Sequence, residues 1–74
     1  MDDLIDEYVR QINTLKLILV RDTAKMKTAQ RKHRNVEAVK IRSRIRVTHT
    51  EIDELEYAVR QMRRYTQIVS EAES

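Results

Sequence analysis

The sequence lacks cysteine, glycine and proline altogether, and its aromatic residues are three tyrosines. The absence of cysteine excludes disulfide bonds and thiolate metal ligands. The absence of glycine and proline removes the usual residues of tight turns, hairpin loops and glycine-rich phosphate-binding loops. A β-sandwich or barrel is hard to build without them, whereas long helices are not. The 74 residues form a single small domain, which needs helix packing or oligomerisation to become stable.

Long apolar runs are missing as well. The run from Leu17 to Val20 is much too short to cross a bilayer. The N-terminal stretch, MDDLIDEYV, begins acidic and is unlike a secretory signal or a transit peptide. We therefore expect a cytoplasmic protein that does not enter a membrane.

What the sequence does contain is apolar residues at a strict spacing of three and four, which is typical of packed helices. In the first half this series is interrupted only by Asp22; it consists of Ile5, Tyr8, Ile12, Leu15, Leu19, Met26, Ala29, His33 and Val36. The series in the second half consists of Ile41, Ile45, Thr48, Ile52, Leu55, Val59, Met62, Thr66 and Val69.

The two series do not join, because the step from Val36 to Ile41 spans five residues and shifts the heptad phase. Asn35 lies at this break and is a good cap for a second helix. The sequence therefore predicts an all-α, coiled-coil-like antiparallel hairpin within residues 1–74. Its helices are expected at about 2–32 and 37–71, with the turn at about 33–36, so that residue i faces roughly residue 70 − i.

Two other interpretations stay open. Thr48 to Glu51 has the pattern of a capping box, and Asp22-Thr23 is another candidate cap, so breaks at both places would give a three-helix bundle. Residues 39–48 also alternate between apolar and polar side chains, as a strand would. We favour a helix there, since a lone strand has no partner in this chain and the helical phase continues into the second apolar series. A single long helix is the remaining possibility.

The apolar stripe in residues 4–20 is wider than two helices need, because Leu4, Val9, Ile18 and Val20 lie beside the main series. We expect the hairpin to dimerise into a four-helix bundle, or to dock onto a different protein. The residues predicted to take part in self-association are Ile5, Ile12, Leu15, Leu19, Ile52, Leu55, Val59 and Met62.

Charge is segregated along the chain. Residues 21–46 contain ten Lys/Arg and two Asp/Glu, a net charge of +8, while residues 1–20 and 47–74 carry −2 and −3. In a hairpin this segment forms a basic tip without a nearby counter-charge, whereas a three-helix bundle would place Asp6, Glu51 and Glu54 beside it. The predicted binding residues for a partner or an anion are Arg31, Lys32, Arg34, Lys40, Arg42, Arg44 and Arg46.

The sequence contains no recognisable set of catalytic residues. His33 and His49 have no cysteine partners, and no nucleophile–base set or pair of buried carboxylates has a suitable spacing. We expect no enzymatic activity, no cofactor and no metal. The favoured function is a small adaptor or regulator that binds a partner protein and itself. The alternative is nucleic-acid association through residues 21–46, although that segment has no aromatic side chain for base stacking.

Overall fold

The computed structural model describes residues 2–73, which fold into two long helices packed against each other. Helix α1 runs over Asp2–Arg31 and helix α2 over Asn35–Glu73. The described chain contains no strand, and its extents of 61 × 14 × 12 Å are those of a rod. The predicted all-α helical hairpin is confirmed.

The turn is shorter than the one expected from the sequence. It occupies residues 32–34, where the prediction had 33–36, and α2 begins two residues before the expected position. The cross-helix contacts of Lys16 with Glu56 and of Asp22 with Arg44 fall within about one helical turn of the predicted register. Helix α2 has 39 residues against 30 in α1. At 1.5 Å per residue, α2 is therefore about 13 Å longer than α1.

Backbone hydrogen bonds close α1 in a Schellman motif, although the chain has no glycine. The Arg34 N–H donates to the Ala29 carbonyl at 2.9 Å, and the His33 N–H donates to the Gln30 carbonyl at 3.2 Å. His33 takes the left-handed conformation that this motif requires, with φ at 57°. Histidine tolerates that conformation better than a β-branched residue does. His33 therefore stands at the left-handed position after the helix, where glycine is the most common residue.

Helix α2 starts from Arg34 and not from a cap at Asn35. The Arg34 carbonyl accepts the first helical hydrogen bond from the Ala38 N–H at 3.0 Å, which makes Asn35 the first helical residue. Glu37 in the first turn pairs with the Arg34 guanidinium at 3.6 Å. Its charge also favours the positive end of the helix dipole.

The three-helix alternative is wrong, because both proposed breaks lie inside continuous helices. The Thr48 hydroxyl donates to the Arg44 carbonyl at 2.8 Å, and the Thr23 hydroxyl donates to the Leu19 carbonyl at 2.8 Å. A threonine that bonds four residues back is compatible with a helix interior, whereas a cap would bond forward. The strand interpretation is wrong because residues 39–48 are helical. The single long helix is wrong because the chain turns at residues 32–34.

The interior consists of two apolar clusters along the line between the helices. The open-end cluster contains buried Ile5, Ile12, Ile52 and Val59, with the half-buried side chains of Tyr8, Val9, Leu15, Leu19, Leu55 and Met62 packed around them. The tip cluster contains buried Ala29, Ala38 and Ile41, flanked by Met26 and Ile45. Asp22 and Thr48 lie between the clusters and are also buried.

Candidate functional site

A polar layer separates the two apolar clusters. The Asp22 carboxylate accepts a hydrogen bond from the Arg44 guanidinium at 3.3 Å. The Asp22 side chain is only 8% exposed, while that of Arg44 is 59% exposed. Asp22, which interrupts the first apolar series, is therefore the internal partner of a basic-tip residue.

This layer corrects the expectation that the basic tip has no counter-charge of its own. Arg44 pairs with Asp22 across the helices, and Arg34 pairs with Glu37 within the first turn of α2. Neither partner is among the acidic residues that the three-helix interpretation placed near the arginines. Eight of the ten cations of residues 21–46 remain without an ion pair among those the structure shows.

One groove between the helices gathers most of this positive charge. We call it the basic groove; it is lined by Arg21, Ala24, Lys25, Thr28, Ala29, Lys32, Arg34, Glu37, Lys40, Ile41 and Arg44. Four of the seven predicted binding residues, Lys32, Arg34, Lys40 and Arg44, therefore lie together in it. Arg31, Arg42 and Arg46 are exposed but do not line it. Arg21 and Lys25 are additional lining residues that the prediction did not include.

A second groove, toward the open end of the hairpin, has the opposite charge. We call it the acidic groove; it is lined by Glu7, Tyr8, Arg10, Gln11, Thr14, Leu15, Glu51, Glu54, Leu55 and Ala58. The sequence analysis placed Glu51 and Glu54 at a helix start or, in a three-helix bundle, beside the basic segment. Their grouping with Glu7 depends on the alignment of the two helices, which no local motif encodes.

The two grooves lie on the same side of the rod. Glu37 and Arg44 line the basic groove, and Glu51 and Ala58 line the acidic groove. These four residues follow one another along α2 at intervals of seven positions, and residues seven apart share a helix face. Gln11 in the acidic groove and Lys25 in the basic groove show the same relation on α1. One face of the hairpin therefore changes from acidic to basic along its length.

The residues predicted for self-association lie mainly inside the hairpin. Ile5, Ile12, Ile52 and Val59 are buried between α1 and α2, and Leu15, Leu19, Leu55 and Met62 are half-buried around them. The first four are enclosed by the chain's own helices. A second copy of this fold could therefore reach only the other four.

Several large apolar side chains are exposed instead. Leu17 and Val20 are each 69% exposed on the outer side of α1, and Val36 is 72% exposed beside the turn. Of the four residues flagged by the wide stripe, Val20 and Leu4 are exposed, Ile18 is 38% exposed, and Val9 packs against the open-end cluster. Leu17 was missed because it falls outside the three–four spacing that identified the interior.

Among the described side chains of residues 3–73, no group of three or more histidine, aspartate or glutamate residues is arranged to hold a metal ion. Neither helix combines the length and the apolar character that crossing a membrane would require. No protein-family model matches the sequence, and neither curated proteins nor solved structures give a significant match.

Proposed function

We propose that this protein is a small non-enzymatic adaptor or regulator that binds a partner protein, and a second copy of itself, through its helical faces. The observation that carries the proposal is the exposure of large apolar side chains on a hairpin with a thin interior. Leu17 and Val20 are three residues apart and project from neighbouring turns of α1.

The thinness of the interior supports the same proposal. Within residues 3–73, no side chain falls below 2% exposure, and the most buried, Ala29 and Ile41, retain 3%. Two helices alone cannot enclose a side chain on all sides, so the hairpin leaves apolar area that association would remove from water. Burial of such area stabilises by about 25 cal/mol per Å². We infer that two hairpins form a four-helix bundle and that the Leu17–Val20 patch is a surface for a different protein.

The partner-binding part can be tested with a matched pair of variants. Leu17→Glu/Val20→Glu should abolish retention of a partner protein that immobilised wild-type protein captures from a cell extract. Val36→Glu/Val39→Glu is the control, because these valines are equally exposed but lie at the tip. The captured protein is then purified and its Kd measured against all three chains. If both double variants bind it as the wild type does, the Leu17–Val20 patch has no role in partner binding.

A second candidate, nucleic-acid association, is favoured by the basic groove. Its cations, Arg21, Lys25, Lys32, Arg34, Lys40 and Arg44, have Glu37 as the one acidic residue among the lining side chains. Cations at helical spacing can contact phosphates without reading sequence. Lys32→Glu/Lys40→Glu should then weaken binding of a labelled 20-base-pair duplex in fluorescence anisotropy, and added salt should weaken wild-type binding steeply. No duplex binding at low salt would eliminate this candidate.

A further inference from the structure

We propose that two copies of this chain associate antiparallel through the face that carries both grooves, the acidic groove of one copy lying over the basic groove of the other. The proposal rests on the self-association part of the proposed function and specifies its surface and direction. The acidic groove has Glu7, Glu51 and Glu54 against Arg10, and the basic groove has six cations against Glu37. Two copies side by side in the same direction would place like charges together, whereas reversal of one copy places opposite charges together.

A two-fold axis is compatible with this arrangement. In a closed symmetric dimer the same patch is used by both copies, so the patch must be complementary to itself. A two-fold axis across the rod, in the plane of the interface, reverses the direction of the second copy and lays α2 against α2 and α1 against α1. Residues at equal distances on either side of the axis then meet across the interface.

The spacing of the charges fits such an axis at Val47. On α2, Glu54 lies seven residues after Val47 and Lys40 lies seven residues before it. The axis therefore brings Glu54 of each copy to Lys40 of the other. Glu51 and Arg44, four residues after and three residues before Val47, meet in the same way.

The pairing on α1 follows from the same axis. Glu7 and Lys32 are equidistant from the middle of the Leu19–Val20 step. That level of α1 lies beside Val47, because Asp22 contacts Arg44 and Lys16 contacts Glu56 across the hairpin. Both helices therefore place the reversal of charge at one level of the rod, which is the condition for a symmetric antiparallel dimer.

The centre of this face is apolar. Val47 lies seven residues from both Lys40 and Glu54, so it shares their side of α2, and it is 56% exposed. Ile18 lies seven residues from both Gln11 and Lys25, so it shares the corresponding side of α1, and it is 38% exposed. An apolar centre with a charged rim is the usual composition of a protein interface. Val47 would meet its own counterpart at the axis.

A charge-exchange experiment tests the direction. Glu54→Lys and Lys40→Glu each create two like-charge contacts per dimer, so each should raise the dimer Kd by roughly tenfold, as about 1.4 kcal/mol of lost complementarity would. The chain with both substitutions restores opposite charges and should recover wild-type Kd in analytical ultracentrifugation. An equimolar mixture of the single variants should recover it too. Asp53→Lys makes the same charge change on the neighbouring exposed residue, which lines neither groove. It should leave Kd within about twofold, because its charge lies outside the proposed interface and is screened by solvent.

A cysteine at the axis supplies an independent measurement, because the chain has no cysteine of its own. Val47→Cys should form an interchain disulfide under mild oxidation at least tenfold faster than Val39→Cys, an equally exposed control. A wild-type chain that stays monomeric overturns this dimer and leaves partner binding to be judged by the Leu17 and Val20 variants. A dimer in which the double substitution fails to recover, or in which both cysteines cross-link at equal rates, associates through another face, which overturns the direction proposed here and not self-association.

Discussion

The two halves of the hairpin are held together differently. The open-end cluster packs isoleucine, leucine, valine, methionine and tyrosine side chains between the helices. The tip cluster packs Ala29 of α1 against Ala38 and Ile41 of α2, with only Met26 and Ile45 beside them. Small side chains let the helices converge toward a turn of three residues, but they bury less apolar area. Stability therefore comes mainly from the open end, while the tip depends more on its turn.

Charge sharpens this contrast. The half with the smaller apolar cluster also contains the segment with a net charge of +8. Like charges at neighbouring helical positions destabilise by a few tenths of a kcal/mol per pair. The tip therefore combines weak packing with repulsion, and Asp22 and Glu37 offset only part of it. An anionic group beside the tip would relieve this repulsion.

The largest expected effect comes from truncating the same residue type in each cluster. Ile52→Ala should lower the free energy of unfolding by about 2–5 kcal/mol, because the larger side chains around it cannot fill the space. Ile41→Ala should have a smaller effect, since its neighbours Ala29 and Ala38 provide fewer contacts to lose. Urea titrations followed by far-UV circular dichroism, at one fixed protein concentration, measure both. A greater loss for Ile41→Ala would reverse the comparison.

The boundary between the halves is expected to respond next. Arg44→Met leaves the buried Asp22 carboxylate without its partner and should lower the free energy of unfolding by about 1–3 kcal/mol. Asp22→Leu should instead be neutral or stabilising, because it joins the two apolar clusters into one. In the Asp22→Leu background, Arg44→Met should have little further effect in thermal unfolding. An equal loss in both backgrounds would show that Arg44 stabilises by packing alone.

The turn should respond more weakly. His33 has φ at 57°, where a residue with a Cβ is strained, so His33→Gly should raise the free energy of unfolding by about 0.5–1 kcal/mol. His33→Val should lower it, because a β-branched side chain fits this conformation poorly. Thermal melts of both variants check the sign. A stabilising valine would mean that the Schellman turn does not form in solution.

The smallest effect is expected at the exposed ion pair of the open end. Lys16 and Glu56 approach to 3.6 Å, but their side chains are 57% and 39% exposed, so solvent screens the attraction. Lys16→Ala should change the free energy of unfolding by no more than about 0.5 kcal/mol. The same urea titration, repeated in high salt, should show no difference between Lys16→Ala and wild type. If Lys16→Ala lowered the free energy of unfolding as much as Arg44→Met does, exposed and buried ion pairs would contribute equally to the stability of this hairpin.

The sequence is enough to predict the helices and their approximate register, because the spacing of residues such as Ile12 and Ile52 reflects which side chains face the interior. The turn was less predictable, since no glycine marks the left-handed residue and His33 takes that place. Thr48 and Asp22 were wrongly taken as possible helix caps, because the side chains that cap a helix can also act elsewhere. The Thr48 hydroxyl bonds to a carbonyl inside a helix, and Asp22 pairs with a residue of the other helix. The face that carries the acidic and basic grooves could not be predicted in the same way. It depends on how α1 aligns with α2, which is set by contacts between residues distant in sequence.

The lack of any described side chain below 2% exposure has a thermal consequence. The heat-capacity change of unfolding grows with the apolar area newly exposed to water, and an average protein gives about 12–15 cal/mol/K per residue. A rod of two helices exposes less new area, so its value per residue should lie below that range. A smaller heat-capacity change flattens the curve of stability against temperature. The hairpin should therefore lose stability gradually on both warming and cooling, whereas the proposed dimer, which would bury more apolar area, should show a steeper curve.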